Sequence, residues 1–215
     1  MSREDFYASA FGAVYSAYME RPAVSRRVSK LVWGGDIGPY YESMRAISEV
    51  RAGGTIVDCP CGAGPALRLA PPAEDVRYIA VDLSPSMLER ARSRAVASGL
   101  RDLEFVRAPA TNIPLPSSSA DLFLSFWGLH CFDDPEAAIE EAVRIVAPRG
   151  RLVGCAFVRG TETLRQRVLI RPGLGDFGNV LTAVEVKACL EDAGLDGLSL
   201  RRSGPMLFFD ARAKA

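Results

Sequence analysis

The sequence predicts an α/β fold, a mixed β-sheet with helices on both faces. Three observations carry this. From Thr55 onward, short runs rich in β-branched residues alternate with helical stretches, the pattern of a parallel sheet wrapped by helices. The last two runs, "GLSLRRS" and "PMLFFDARA", are joined through Ser203-Gly204-Pro205. That link is far shorter than the dozen or more residues of a parallel crossover, so the two pair antiparallel. The chain has 215 residues, of which 48% are hydrophobic and 24% charged. This is enough for one domain with a full core and an ordinary soluble composition.

The elements follow in order. The first ~20 residues read as a helix, because Phe6, Ala10, Phe11, Val14, Tyr15, Tyr18 and Met19 recur at spacings of three and four. A second helical stretch runs from Val24 to Trp33 and stops at Gly34-Gly35. Pro39 opens a third that ends near Gly53-Gly54. "TIVDC" is then a strand, "GPALRLA" a short helix stopped by Pro71-Pro72, and "RYIAVDL" a second strand. "SPSMLERARSRAVASG" is a helix with Ser84 as cap, Pro85 in the first turn and Gly99 at the end. "LEFVRA" and "ADLFLSFW" are the third and fourth strands. "DPEAAIEEAVRIVAP" is a helix capped by Asp133 or Asp134, and "GRLVGCAFV" is the fifth strand. "TAVEVKACLEDAGL" is the last helix, before the closing hairpin. Residues 1–52 read as an N-terminal helical segment outside the sheet pattern, and residues 53–215 as the sheet domain, within one compact unit.

Charge and composition narrow the function. The 26 basic and 26 acidic residues balance, so no broad electrostatic footprint for nucleic acid is expected. Arg21, Arg26, Arg27 and Lys30 cluster near the N-terminus and read as a solvated helix face. No run approaches the ~18 apolar residues of a transmembrane helix, so no stable membrane insertion is expected. The start, "MSREDFYASAF", lacks the apolar core of a secretory signal. A cytoplasmic location is therefore expected. The five cysteines have no framework spacing, which suits reduced thiols.

The stretch "VDCPCGAGP", Val57 to Pro65, ends the first strand and opens a helix. In an open α/β sheet ligands bind at the carboxyl ends of the strands, where strand order reverses. Gly62 and Gly64 let the backbone turn tightly and a ligand approach, and helix N-terminal N–H groups face that ligand. A zinc site needs about four Cys or His ligands. Here Cys59 and Cys61 stand alone and the chain has one histidine, so no metal is expected. The spacing is also not the C-x-x-C of a redox pair. The dinucleotide fingerprint is half met, since Leu67 occupies its third glycine position. Asp82 closes the second strand, where a carboxylate accepts both ribose hydroxyls of a nucleotide. Ser84 is the better placed helix cap and leaves Asp82 for this task.

Three segments together carry a family resemblance: "IVDCPCGAG", "IAVDLSPSMLERAR" and "NIPLPSSSADLFLSFWGLHCFDDPEAAIEEAVRIVAPRGRLV". The chain resembles the class I S-adenosylmethionine-dependent methyltransferases, in their ubiquinone/menaquinone-biosynthesis-type small-molecule branch. The likeness is tight from Ile56 to Val158 and weaker to the final hairpin. It implies a Rossmann-like seven-stranded sheet with the last strand antiparallel. It also implies S-adenosylmethionine as cofactor and a small lipophilic or aromatic methyl acceptor. The loop Asp58, Cys59, Pro60, Gly62 and Gly64 would surround the methionine part, and Asp82 would hold the ribose. Leu83 and Met87 would pack on the adenine, with Ala110 and Thr111 at its other face or edge. Ser125 and Phe126 would floor the sulfonium. Two positions depart from the family: Pro60 stands where glycine is usual, which removes an N–H, and Pro109 stands where an acid often meets the adenine amino group.

The resemblance puts His130, the one histidine, near the transferred methyl, and its ordinary pKa suits proton abstraction near neutrality. It also makes the N-terminal region a lid. Tyr15, Tyr18, Trp33, Tyr40 and Tyr41 would offer an aromatic wall to the acceptor, with Trp127, Phe177 and Met206 as further pocket residues. The same rings can equally be core. Two rival functions stay open: a protein of this fold that binds ligand without catalysis, and a nicotinamide-dependent oxidoreductase. A homodimer is left open as the assembly.

Overall fold

The computed structural model describes residue 19 and residues 21–73, 75–101, 103–160 and 179–214. The stretch read as the first helix, with Tyr15 and Tyr18, lies outside them, as does Phe177. Seven strands form one sheet: β1 (Thr55–Asp58), β2 (Arg77–Asp82), β3 (Glu104–Arg107), β4 (Ala120–Phe126), β5 (Val146–Phe157), β6 (Leu195–Ser203) and β7 (Met206–Ala213). Their order is β3-β2-β1-β4-β5-β7-β6. β1 to β5 are mutually parallel, and β7 runs antiparallel to both β5 and β6. The expected mixed sheet, with its last strand antiparallel, is present. Strand order reverses between β1 and β4, so the carboxyl ends of these strands open onto the switch point where ligands bind in such sheets.

The central strands read as continuous apolar runs because both faces of the sheet are covered. One face carries Ile56, Tyr78, Ala80, Leu122, Leu124 and Val153. It is covered by α2 (Gly38–Ser43), α3 (Arg45–Ser48), α4 (Pro65–Leu69) and α5 (Pro85–Ala97), and α1 (Pro22–Val32) packs on α2. The other carries Val57, Ile79, Val81, Phe123, Leu152 and Leu207, under α6 (Pro135–Ile145) and α7 (Ala183–Asp192). Each fully buried aliphatic or aromatic side chain contributes about 1.5–3 kcal/mol.

The cap expected for α6 is present, and α7 carries one that the sequence reading did not single out. Asp134 accepts the Ala137 N–H at 3.0 Å to start α6. Thr182 and Glu185 form a reciprocal capping box on α7. At α5 the expectation fails. Ser84 holds the cap position, but its hydroxyl makes no capping bond and lies 3.0 Å from the Ser86 hydroxyl. The helix expected from Pro39 to Gly53 is also interrupted. It breaks at Met44 into α2 and α3 and ends at Ser48. The Ser43 hydroxyl donates to the Pro39 carbonyl at 2.8 Å, a back-bond that bends helices.

The N-terminal helices are fastened to the far edge of the sheet. The Asp36 N–H donates to the Ser203 hydroxyl at 2.6 Å. A side chain at Gly35 would meet the Ser203 carbonyl oxygen at 2.3 Å, so glycine permits that close approach. Arg26 donates twice to the Asp36 carboxylate, at 3.1 and 2.9 Å. This pairing holds the Asp36 carboxyl below the usual carboxylate range. Among the described residues no helix is long and apolar enough to cross a membrane.

Candidate functional site

The end of β1 and the end of β2 meet through one carboxylate. Asp82 Oδ2 accepts the Gly62 N–H at 2.9 Å and Oδ1 accepts the Ser84 N–H at 2.9 Å. Each oxygen keeps a second lone pair, so Asp82 is oriented by the backbone and can still accept from a diol. Gly62 has φ +52° and Gly64 φ +73°, the left-handed region that glycine occupies without penalty. A side chain at Gly62 would meet nothing within 4 Å, so the turn borders open space. At Gly64 it would meet Leu67 and Ala91 at 3.1–3.2 Å, so that glycine lets the turn sit on α5.

Asp58 lies deeper. It is buried, and its Oδ2 accepts the Tyr78 hydroxyl at 2.7 Å. Burial pushes its carboxyl up from 3.8 to about 7, the Tyr78 hydrogen bond opposes this, and neighbouring Asp82 adds to it. Burial also raises Asp82, while its backbone donors pull it back. The two carboxylates therefore form an electrostatically unsatisfied pair that a bound cationic group would relieve. Leu83 follows at the strand end, 60% exposed, where an apolar side chain needs a covering partner. An open glycine turn, a carboxylate with spare acceptors and an exposed leucine together fit S-adenosylmethionine.

On the same face, beyond β4, stands a cluster of rings. Tyr40 of α2 packs on Phe126 and Trp127, with ring centroids at 5.2 and 5.7 Å. Trp127 meets Phe157 at 5.2 Å, Phe208 at 6.3 Å and His130 at 6.4 Å. Trp33 packs on Phe157 at 4.7 Å. Trp127 has φ +60°, an outlier for so bulky a residue. Its indole N–H is buried and has no hydrogen-bond partner among the described residues. Strained backbone with an unsatisfied donor marks sites where function outweighs stability. His130 is buried, and its Nδ1 accepts the Phe157 N–H at 3.3 Å, which places the proton of the neutral ring on Nε2.

The remaining expected residues divide between the two faces. Phe126 shares the aromatic side with Tyr40. Cys59, Ala110 and Ser125 line a narrow recess with Phe123, Leu129 and Ile139, against α6 on the opposite face. The Ser125 and Phe126 side chains thus lie on opposite faces of the sheet. Met87 is buried, whereas Thr111 is exposed. Tyr41 donates to the Met19 carbonyl at 2.8 Å, and Met206 is in the core. The Cys59–Pro60 bond is cis. Burial pushes the Cys59 and Cys61 thiols well up, so they stay protonated and unreactive. Among the described residues no three His, Cys, Asp or Glu side chains gather as a metal site.

Two contributors escaped the sequence reading. A side chain at Gly128 would meet Pro60 Cδ at 2.4 Å and Phe132 Cζ at 2.9 Å, so Gly128 lets the loop after β4 lie on the loop after β1. Glu141 Oε1 accepts the Ile113 N–H at 2.6 Å, and Arg144 donates to the Leu115 and Ile113 carbonyls at 3.0 and 3.2 Å. This pair on α6 fixes the loop that carries Ala110 and Thr111. Its one sequence signal is the i, i+3 spacing of opposite charges in "EAVR".

Comparison with known proteins bears on the family and the fold. Residues 57–154 match the family model described as a methyltransferase domain. The 27-O-demethylrifamycin SV methyltransferase of Amycolatopsis mediterranei is 34% identical, over 68% of this chain and 56% of its own length. The demethylmenaquinone methyltransferase of Thermus thermophilus is 36% identical, over 59% of each. The chain thus spans little more than half the length of these curated relatives. The structure of Haemonchus contortus phosphoethanolamine N-methyltransferase 2 in complex with S-adenosyl-L-methionine superposes with a TM-score of 0.74. It is 12% identical and covers 100% of this chain and 60% of that one, a likeness of fold.

Proposed function

This chain belongs to the class I S-adenosylmethionine-dependent methyltransferases, and we propose that it transfers a methyl group to a small lipophilic or aromatic acceptor. The observation that carries the reading is the Asp82 carboxylate, held by the Gly62 and Ser84 N–H groups and facing the same side of the sheet as the rings around Trp127. S-adenosylmethionine, when bound, supplies an activated methyl, so the hard chemistry is the cofactor's own. In this reading Asp82 holds the ribose hydroxyls, Asp58 faces the cationic amino group, and Gly62 and Gly64 shape the turn. Leu83 and Met87, with Ala110 and Thr111, border the adenine.

Methyl transfer needs chiefly alignment and exclusion of water. Half-buried Trp127 and Phe157, backed by the buried Tyr40 and Phe126, offer flat apolar surface for a planar acceptor, and α1 to α3 act as the lid. A base is needed only where the nucleophile must lose a proton. With Nδ1 already accepting, neutral His130 has no lone pair left for a base. We read it as a positioning residue that donates from Nε2, in place of the base expected from sequence. A second reading, ligand binding without transfer, is favoured by Pro60, which brings no N–H to the turn. Incubating the protein with S-adenosylmethionine and a panel of phenols, quinols and amines separates the two. Formation of S-adenosylhomocysteine with a phenol or quinol supports transfer. Binding of S-adenosylmethionine with no product from any acceptor supports the silent reading.

A further inference from the structure

α1 is built inside out. Its inward positions are Ser25 and Ser29, both fully buried, and their hydroxyls donate to the Arg21 and Arg26 carbonyls at 3.0 and 3.2 Å. The Ser29 hydroxyl also accepts the Ile37 N–H at 3.2 Å. Its outward positions are Val24, Val28, Leu31 and Val32, all exposed, Leu31 by 71%. These lie at i, i+4, i+7 and i+8, one continuous stripe of a helix. Ordinary surface helices turn such a stripe to the core. Here small polar residues take the core side, and the large apolar ones are left for something outside the fold.

Charge selects the occupant. α1 contains three basic residues and no acidic one, in a chain whose total charge is zero. Asp36 pairs with Arg26 and Lys30. Arg21 and Arg27 are exposed, and no carboxylate among the described residues pairs with either. A second copy seated on this stripe through a two-fold axis would bring like-charged arginines together. A surface of anionic lipid headgroups meets both features at once: apolar side chains enter the acyl boundary while arginines meet phosphate. We propose that α1 docks this protein on an anionic lipid surface. The helix ends at Trp33, which packs on Phe157 in the aromatic cluster. Docking therefore sets a membrane-dissolved molecule beside the acceptor wall. That last link rests on the proposed function, whereas the docking itself does not.

Sedimentation of the full chain with phosphatidylcholine vesicles, with and without phosphatidylglycerol, tests this. The expected result is a bound fraction several-fold higher on the anionic vesicles, falling as salt is added. Val28→Ser/Leu31→Ser abolishes binding and Arg21→Ser/Arg27→Ser reduces it, while both variants melt as the wild type does. Three results overturn the proposal: equal sedimentation with and without anionic lipid, no binding by the full chain but binding once residues 1–18 are removed, or a dimer in light scattering that Leu31→Ser dissolves. Methyl transfer enters none of these readouts, so failure here leaves the proposed function standing, and the converse holds.

Discussion

The two halves of the site are made in different ways. The cradle comes from contiguous chain, residues 58–64 and 82–84, and is fixed by backbone hydrogen bonds to one carboxylate. The aromatic wall is assembled from positions far apart in the chain, Trp33, Tyr40, Trp127, Phe157 and Phe208, and is fixed by ring packing. The cradle is short-range and polar, and suits one invariant ligand. The wall is long-range and apolar, and can change its ligand by changing single rings. The account therefore requires that damage to one half leave the other's ligand alone.

The largest separation is expected from Asp82→Ala. It removes the acceptor for two backbone donors and for the ribose, and hydrogen bonds to a charged group are worth about 1.5–3 kcal/mol each. The affinity for S-adenosylmethionine should fall by more than about tenfold, as read by calorimetry, and the melting temperature should drop by several degrees as the Gly62 and Ser84 N–H groups lose their acceptor. Trp127→Phe keeps an aromatic ring and deletes the N–H together with the pyrrole ring that bears it. It should raise KM for an oxygen-bearing acceptor several-fold while leaving cofactor affinity unchanged. A parallel fall in both would merge the halves into one.

Gly128→Ala tests the seam between the halves. The added methyl would lie 2.4 Å from Pro60, and overpacking of this kind costs about 1–3 kcal/mol. A drop of roughly 2–12 °C in melting temperature is expected for a chain of this size. Ser125→Ala is the smallest change. Its side chain lies across the sheet from the carboxylates, so cofactor affinity should stay within about twofold, which calorimetry on the purified variant can verify.

Acidity adds a check within the cradle. Folded Asp58 keeps its proton up to about pH 7, whereas its ordinary value is 3.8. Between those values the folded state binds more protons than the unfolded chain, so stability falls as pH rises through that window. Asp82, also raised by burial, adds the same sign. The cationic amino group of the cofactor favours ionised Asp58, so cofactor affinity should instead rise across pH 7. Calorimetry on either side of neutrality measures this, and Asp58→Asn should flatten the rise.

Sequence made the cradle legible because its signals are local. Gly62 and Gly64 sit between a β-branched run and Pro65, and Asp82 closes the next apolar run. The sheet was legible for the same reason, down to the antiparallel closing hairpin. The wall was not. Nothing near Trp127 announces a left-handed backbone, and Gly128 is small because of Pro60, 68 positions earlier. Ser125 and Phe126 alternate as any strand does, but both faces of β4 are buried, so alternation does not say which one points to the ligand. The helix after Pro39 was read as unbroken because Ser43 bends it through a side-chain bond that periodicity does not register.

The central claim is that this cradle takes S-adenosylmethionine through Asp82. Calorimetric titration of the wild type and Asp82→Ala with S-adenosylmethionine, and of the wild type with NAD, tests it most directly. The account predicts that the wild type binds S-adenosylmethionine and not NAD, and that Asp82→Ala loses more than about tenfold. Binding of NAD alone, or unchanged affinity in Asp82→Ala, would contradict it.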